Sequence, residues 1–394
     1  MTERLYYTDS YIRDFEAEVT DRADGSRRVY LNRTAFYPTS GGQPFDTGQL
    51  GGVPVTDVVD EGERIAHLLA EPLIGSRVSG HVNWARRFDH MQQHTGQHLL
   101  SAVLAAELGL PTVAVHFGKE SSTLDLDAGS LTTDQARLAE EKANELIAQN
   151  RPVEVAFEES ESAAGLRKSS DRGGTLRIVS IRDLDRSACG GTHVRATGEI
   201  GAILIRKMER VRKGVRMEFL CGSRATRRAR ADHSLLARLA ADLSAAPEEL
   251  PHLISAQGEE LKQAVALNRE LEQKLDLLRA RELYAAAGPE ATGIRRVLVR
   301  EGEGSVESLR GLAQAITSLP KVIFVGAVPS PPSVVLGASV DTGIDAAGLL
   351  KSLLTSVGGR GGGSARLAQG IVPGRAQLEK VIMSLASTDV SSRT

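Results

Sequence analysis

The chain has 394 residues, which exceeds one typical hydrophobic core and predicts two to four domains. Its 41% hydrophobic and 25% charged residues are ordinary for a globular protein, and a net charge of −2 excludes a molecule that attracts nucleic acid over its whole surface. No apolar run approaches the roughly 18 residues of a membrane span, and no signal segment opens the chain, so we expect no membrane partner and a cytoplasmic location. Two cysteines are too few for a disulfide framework and are free to bind metal.

The order of patterns along the chain predicts an α+β protein. Residues 1–85 contain short strands such as Arg28–Leu31 and Arg77–Val82, bounded by Gly, Asp and Pro, and predict a small β-barrel. A helix is expected over Trp84–Leu108, ended by Gly109. Residues 86–222 then predict a two-layer α/β domain, with strands at 112–116, 122–126, 153–157, 176–181, 200–208 and 215–220 around a polar helix over 132–150.

The remainder of the chain predicts a helical linker and a second α/β domain. Residues 223–288 are helical in pattern, and Pro247 and Pro251 divide them into two helices. Residues 289–394 predict a small α/β domain with strands at 296–299, 322–325 and 334–336 and helices at 306–317, 346–357 and 375–386.

A short heptad seam lies in the second predicted linker helix. Its core positions are Leu261, Ala264, Asn268, Leu271, Leu275 and Leu278. The seam predicts either a homodimer contact or one arm of an intramolecular helical hairpin, and the C-terminal domain is a second place for a dimer contact.

Two motifs carry metal-binding side chains four residues apart: His94 and His98, then Cys189 and His193. Positions i and i+4 of a helix share one face, so both imidazoles of the first motif can reach one ion. For either pair alone, exposed polar histidines or a buried thiol explain the residues equally well. Together, a Cys/His₃ set favours Zn²⁺ over the oxygen-preferring Mg²⁺ and Ca²⁺. Whether the ion is structural or catalytic stays open at this point.

Glycines accompany both the metal motif and a second candidate site. Gly190 and Gly191 are expected to let the backbone turn tightly, so that both flanking ligands point inward. In residues 34–48, Gly41 and Gly42 permit close approach of a ligand to the backbone. Thr34 adds a hydroxyl there and Gln43 adds donor and acceptor groups. The alternative interpretation of this segment is a turn-rich barrel loop.

Basic residues are concentrated between residues 206 and 230. Such a stripe predicts contact with a phosphate backbone, and the alternative is a solvated face of a strand and a helix. The residues that we assign to nucleic-acid binding are Arg206, Lys207, Arg210, Arg212, Lys213 and Arg216.

Three segments, in this order, resemble the editing half of alanyl-tRNA synthetase and the AlaX-type alanyl-tRNA editing proteins. They are AFYPTSGGQPFDTG at 35–48, HTGQHLL at 94–100 and CGGTHVRATGEIG at 189–201, and the similarity covers about residues 5 to 222. The segment GGRGGGSARLAQG at 358–370 is similar to the DHHA1 domain at the end of alanyl-tRNA synthetase. The combination resembles the long AlaX class.

The resemblance implies a zinc site made by His94, His98, Cys189 and His193 beside an editing pocket. In that pocket Thr34 is expected to contact the hydroxyl of a misattached serine, with Gln43 contributing. His116 either lines the same pocket or is structural. The resemblance further implies a trans-editing deacylase that binds the acceptor stem of tRNA(Ala) and hydrolyses Ser-tRNA(Ala), and potentially Gly-tRNA(Ala).

Neither ATP use nor aminoacylation is expected from the sequence. The chain begins at the editing barrel, and the glycine-rich loop expected at 358–363 lacks the Gly-Lys-Ser/Thr ending of a P-loop. Two alternatives remain: a zinc-stabilised tRNA-binding module without catalysis, and a DHHA1-containing phosphoesterase. The second needs Asp-rich metal motifs, and the sequence contains no Asp-His-His triplet.

Overall fold

The structure, a computed structural model, describes residues 1–168, 173–212, 214–302 and 305–387. It divides into two compact units, Met1–Ser244 and Ala245–Thr394. The mixed α/β class is confirmed, whereas the division into four domains stays a prediction. Among the helices of these described ranges, none combines the length and apolar character that a bilayer crossing requires.

The first unit opens with a closed barrel of six strands in the order β2-β3-β7-β6-β5-β8, which confirms the predicted β-barrel. Buried and exposed residues alternate along its strands, as along Arg77–Val82, because successive side chains point to opposite faces. The elements of this part are β1 (Glu3–Arg4), α1 (Leu5–Thr8), β2 (Asp14–Ala23), β3 (Arg28–Leu31), β4 (Arg33–Thr34), β5 (Gly48–Leu50), β6 (Val53–Asp60), β7 (Ile65–Leu69) and β8 (Arg77–Val82).

The long helix α2 (Trp84–Leu108) follows the barrel with the predicted bounds. The Asn83 side chain caps its start by accepting a hydrogen bond from the backbone N–H of Arg86 at 3.2 Å. Gly109 ends the helix in the left-handed conformation, with φ of +67°. Every residue from 90 to 104 is buried, so the predicted metal ligands on this helix lie inside the unit.

Two antiparallel sheets and two further helices complete the first unit. The sheets have the strand orders β14-β15-β10-β9 and β11-β12-β13, and the predicted two-layer arrangement stays a prediction. Apolar residues of α2, α3 and the four-stranded sheet form one continuous core. The elements are β9 (Thr112–Phe117), β10 (Ser122–Leu126), α3 (Thr133–Ala148), β11 (Val153–Glu159), β12 (Thr175–Ile181), β13 (Asp185–Ala188), β14 (Ile203–Val211), β15 (Gly214–Cys221) and α4 (Gly222–Asp242).

A buried ion pair connects α2 to the segment between β4 and β5. The Arg87 guanidinium is fully buried and donates to both carboxylate oxygens of Asp46, at 2.5 to 3.1 Å. It also donates to the backbone carbonyls of Ser10 at 2.7 Å and Ala35 at 2.5 Å. A buried charge of this kind is tolerated only because its donors are paired.

The second unit contains a mixed sheet in the order β16-β17-β18-β20-β19, with β16 parallel to β17 and the other pairs antiparallel. The segment interpreted as a glycine-rich loop is instead the edge strand β19, which pairs with β20. A Cβ added to Gly361 would lie 2.3 Å from the Gln369 carbonyl oxygen, so glycine permits this close pairing. The elements are α5 (Leu250–Ala286), β16 (Arg295–Arg300), α6 (Val306–Ile316), β17 (Val322–Pro329), β18 (Pro332–Ala338), α7 (Ala346–Ser356), β19 (Arg360–Gly363), β20 (Leu367–Ile371) and α8 (Arg375–Ala386).

The two predicted linker helices are confirmed as α4 and α5, and they belong to different units. The leucines of the heptad seam project from α5 with more than half of their surface exposed: Leu261, Leu271, Leu275 and Leu278. The homodimer contact through this seam stays a prediction.

Replacing Arg87 by methionine tests the ion pair between α2 and Asp46. Because Asp46 would keep a buried and unpaired charge, we expect the free energy of unfolding to fall by about 3–5 kcal/mol. The control is Arg137→Met on the exposed face of α3, for which the change should stay within about 0.5 kcal/mol. Urea unfolding followed by the fluorescence of Trp84, the only tryptophan, measures both; equal losses would contradict the pairing.

Candidate metal centre

The four predicted ligands meet in one cluster. Their ligand atoms all lie within 4.8 Å of one another. Helix α2 presents His94 and His98 on the same face, and the loop after β13 supplies Cys189 and His193. The structure therefore brings together side chains that are up to 99 residues apart in the sequence.

The spacing and chemistry of the cluster fit a tetrahedral zinc ion. Cys189 Sγ lies 3.4 Å from His94 Nε2 and 3.3 Å from His193 Nε2. With Zn–S near 2.3 Å and Zn–N near 2.0–2.1 Å, a regular tetrahedron has S···N edges of about 3.6 Å. One thiolate and three imidazoles are also the donors that zinc prefers. The residues present therefore fit this ion, and the most distant ligand atoms, within 4.8 Å of one another, would approach each other as it binds.

Each imidazole of the cluster is held through its Nδ1 atom. His94 Nδ1 lies 2.9 Å from the side-chain oxygen of Gln43, and His98 Nδ1 lies 2.9 Å from Asp185 Oδ2. His193 Nδ1 lies 3.1 Å from the hydroxyl of Thr95. Such contacts fix the ring orientation and leave Nε2 of each histidine for the metal.

The electrostatics of the cluster favour a thiolate. Burial alone would raise the pKa of the Cys189 thiol, but the facing His94 and His193 rings lower it well below its usual value. Burial and the neighbouring His94 lower the pKa of His193 to about 3. A thiolate and a neutral imidazole are the protonation states in which these side chains bind metal.

Gln43 supports the metal ligands in this structure. Its side-chain oxygen accepts from His94 Nδ1 and, at 3.1 Å, from the backbone N–H of Thr192. Its amide nitrogen donates to the Thr192 hydroxyl at 2.8 Å. These contacts occupy both the oxygen and the nitrogen of the Gln43 amide. Gln43 therefore positions the metal ligands and does not face an open pocket.

Thr34 lies next to the barrel and has no exposed surface. Its hydroxyl accepts from the backbone N–H of Phe36 at 3.1 Å and lies 2.8 Å from His67 Nε2. Burial lowers the pKa of His67 to about 4, so this ring is neutral and its Nδ1 can donate to the Val29 carbonyl. Among the described residues, the hydrogen bonds of Thr34 go to the barrel and not to the metal ligands.

The other predicted pocket residues have different surroundings. Gly41 and Gly42 both have positive φ, at 57° and 84°, and a Cβ on Gly42 would meet Phe117 at 3.5 Å. Gly42 therefore packs closely against β9. His116 is exposed on β9, and its place in the pocket stays a prediction. The neighbouring Phe117 ring faces His94, and successive strand residues point to opposite faces.

The backbone bends at Gly191, one of the two glycines between Cys189 and His193. Neither glycine has a positive φ. A Cβ on Gly191 would lie only 2.1 Å from His94 Cε1, whereas a Cβ on Gly190 would meet its nearest neighbour, Tyr7 Oη, at 3.6 Å. Gly191 is thus required by the close approach of the loop to a metal ligand.

The predicted basic stripe is a surface of mixed charge. Arg206 pairs with Glu218 at 3.2 Å, Lys207 pairs with Glu209, and Arg216 pairs with Asp125 at 2.6 Å. Alternation along β14 and β15 brings these opposite charges together, which a count along the sequence misses. The remaining assigned positions are Arg210 and Arg212, which are exposed, and Lys213, which lies outside the described residues.

A cavity of about 250 Å³ reaches the cluster at His98. Arg167 and Lys168 lie on its lining, and Arg167 Nε also donates to Asp185 Oδ1 at 2.6 Å. Sequence reasoning missed both Arg167 and Asp185. Asp185 lies 87 residues after His98, so no short spacing in the sequence connects the two.

The chain is similar to known proteins over most of its length. The family model described as "Threonyl and Alanyl tRNA synthetase second additional domain" matches residues 176–216. The "Alanyl-tRNA editing protein AlaX-L" of Pyrococcus horikoshii is 30% identical over 394 residues, which cover 94% of this chain and 95% of that protein. The chain therefore belongs to the AlaX-type alanyl-tRNA editing protein family.

Longer relatives are also similar. The "Alanine--tRNA ligase" of Methanoregula boonei is 33% identical over 98% of this chain, and that of Pyrobaculum neutrophilum is 35% identical over 96%. This chain spans only 43% and 44% of the length of those two ligases.

Alanine substitutions at the two neighbouring glycines test the packing of the metal loop. Gly191→Ala should displace His94 and lower zinc affinity about 10–100-fold, the range seen when ligand orientation is disturbed. Gly190→Ala is the matched control and should retain the affinity of the unsubstituted protein, because its methyl group meets only an ordinary contact. Competition with a chromophoric zinc chelator measures both; equal affinities would contradict the proposed close approach.

Proposed function

We propose that this protein is a trans-editing deacylase that hydrolyses the ester of Ser-tRNA(Ala) and of Gly-tRNA(Ala). The observation that carries the proposal is the four-ligand cluster, which opens to a cavity at His98 in a chain that is similar to an editing protein over nearly its full length. The reaction is the attack of water on the ester carbonyl, which releases the amino acid and leaves the tRNA 3′ hydroxyl.

The donor set supports zinc as the metal. When bound, Zn²⁺ can polarise an oxygen of the substrate and orient the ester. Four protein ligands fill a tetrahedral shell, so we assign the ion mainly to shaping the site. Gln43, Asp185 and Thr95 hold the histidine rings in place. Lys168, on the lining of the cavity at His98, supplies positive charge for the phosphate next to the ester, whereas Arg167 is paired with Asp185.

Amino-acid selectivity is the reason that an editing site is needed in addition to the site that charges the tRNA. An alanine pocket cannot strongly reject glycine or serine, which differ from alanine by one methyl or hydroxyl group. A site that binds the serine hydroxyl corrects this error. We assign that role to Thr34, whose hydroxyl can act only after it exchanges its bond to His67 for one to serine.

The two cysteines provide a matched test of the metal requirement. Cys189→Ala removes a ligand and should abolish both zinc binding and the release of serine from Ser-tRNA(Ala). Cys221→Ala, at the core thiol outside the cluster, should retain both. Zinc content by mass spectrometry and deacylation are measured on the same preparations. Normal turnover by zinc-free Cys189→Ala would contradict the proposal.

Substitutions at Thr34 test the assigned hydroxyl. Thr34→Val should lower the preference for Ser-tRNA(Ala) over Ala-tRNA(Ala) about tenfold, the equivalent of one hydrogen bond. Thr34→Ser keeps the hydroxyl and should retain most of the preference. Rates on the two charged tRNAs measure the ratio independently of any loss of folded protein. An unchanged ratio in Thr34→Val would remove Thr34 from substrate recognition.

The same assay separates the competing functions. A zinc-stabilised tRNA-binding module would bind zinc and tRNA and leave the ester intact. A phosphoesterase would release phosphate from a phosphoester, but a Cys/His₃ set without carboxylates does not favour that chemistry. The proposal includes no aminoacylation, and alanine-dependent exchange of pyrophosphate into ATP would contradict that part.

A further inference from the structure

A second opening of the first unit lies outside the metal centre, between the start of α2, the turn after β9 and the start of α4. It consists of two adjoining cavities of about 810 and 470 Å³ that share Lys119, Arg224 and Arg227. We call this opening the Trp84 cleft, after the tryptophan that lines the larger cavity. The larger volume lies within the range of about 300–1,000 Å³ that is usual for small-ligand sites.

Basic side chains outnumber acidic ones around the Trp84 cleft, although Glu120 lines the smaller cavity and Glu218 pairs there with Arg206. Arg224 lies in the floor of the cleft, is buried, and is neutralised by Asp89 at 2.7 Å. It also donates to the Gly118 carbonyl at 2.8 Å, which fixes the turn after β9. Lys119 and Arg227 form no ion pair with any residue in the described ranges, and both are exposed. Two unneutralised cations on a fixed frame suit the phosphates of a nucleic acid.

The cleft also offers an aromatic surface and an unsatisfied polar atom. The half-buried rings of Trp84 and Phe88 lie 5.5 Å apart between centroids, and both line the larger cavity. His90 lines it too, is only 5% exposed, and its Nδ1 atom has no hydrogen-bond partner in the described chain. Aromatic faces beside a basic groove are the arrangement that binds single-stranded nucleic acid.

The cleft and the cavity at His98 lie at opposite ends of the edge strand β9: Gly118, just after the strand, lines the cleft, and Thr112 to Val115 line the cavity. Pro44 and Gly118 line the cleft, and their sequence neighbours Gln43 and Phe117 both contact His94. From Phe88 to His98 the helix rises about 15 Å, at 1.5 Å per residue. About four stacked nucleotides cover this distance, at roughly 3.4 Å each.

We infer that the Trp84 cleft binds the single-stranded 3′ end of the tRNA. Lys119 and Arg227 hold phosphates and the Trp84–Phe88 surface stacks a base, so that the aminoacylated end reaches the cavity at His98. This inference rests on the proposed deacylase function, but it concerns binding and is measurable without turnover. It makes the cleft, whose smaller cavity Arg206 also lines, the main contact for the acceptor strand in place of the rest of the predicted basic stripe.

The test uses the zinc-loaded full chain and an uncharged hairpin with the sequence of the tRNA(Ala) acceptor stem. Binding should quench the fluorescence of Trp84, the only tryptophan. Lys119→Ala/Arg227→Ala should weaken binding at least tenfold and reduce the slope of log affinity against log salt by about 1.4, or 0.7 per phosphate of a single strand. Phe88→Ala should weaken binding about tenfold through lost stacking. Deleting the single-stranded 3′ end of the hairpin should remove the quenching.

Controls and outcomes separate the inference from the proposed function. Arg137→Ala/Lys142→Ala removes two exposed charges on α3 and should bind as the unsubstituted protein does. An affinity of Lys119→Ala/Arg227→Ala equal to that of the unsubstituted protein, or a larger loss for Lys207→Ala/Arg212→Ala in the predicted basic stripe, would overturn the inference. If binding depends on the cleft residues but the ester is not hydrolysed, the proposed deacylase function is contradicted and the inference about the cleft is supported. If the cleft variants hydrolyse the ester and bind the hairpin as the unsubstituted protein does, the inference about the cleft is contradicted and the proposed deacylase function is supported.

Discussion

The first unit depends on the buried hydrogen bonds that hold the three histidine rings of the cluster. A free imidazole can rotate and can present either nitrogen, so spacing alone does not create a metal site. Gln43, in the segment between β4 and β5, contacts His94. Asp185, on β13, contacts His98, and Thr95, on α2 itself, contacts His193. The barrel, the long helix and the three-stranded sheet therefore have to be in place before the four ligand atoms converge.

The burial of α2 explains why so many of its polar residues have distant partners. A buried polar group without a hydrogen bond costs about 1–3 kcal/mol, so each such residue requires its partner. The Gln93 amide donates to the Cys221 carbonyl and accepts from its N–H, both at 3.0 Å. Gln92 donates to the Glu199 carbonyl at 3.0 Å. These bonds fix the rotation of α2 and hence the direction in which His94 and His98 point.

Much of the local structure and the ligand set could be predicted from sequence. The barrel follows from short strands bounded by Gly, Asp and Pro, the end of α2 follows from Gly109, and the ligands follow from i, i+4 spacing and soft donor chemistry. The hydrogen-bond partners of those ligands could not be predicted, because the hydrogen bond from His98 to Asp185 produces no periodic pattern in the sequence. The ion pairs within the basic stripe could not be predicted for the same reason: Asp125 neutralises Arg216 from a strand that is remote in sequence.

X-ray absorption spectroscopy of the zinc-loaded protein tests the central claim most directly. If His94, His98, Cys189 and His193 hold the ion through Nε2 and Sγ, the metal should show one sulfur at about 2.3 Å and three nitrogens at about 2.0–2.1 Å. A shell rich in oxygen, or one without sulfur, would contradict the account.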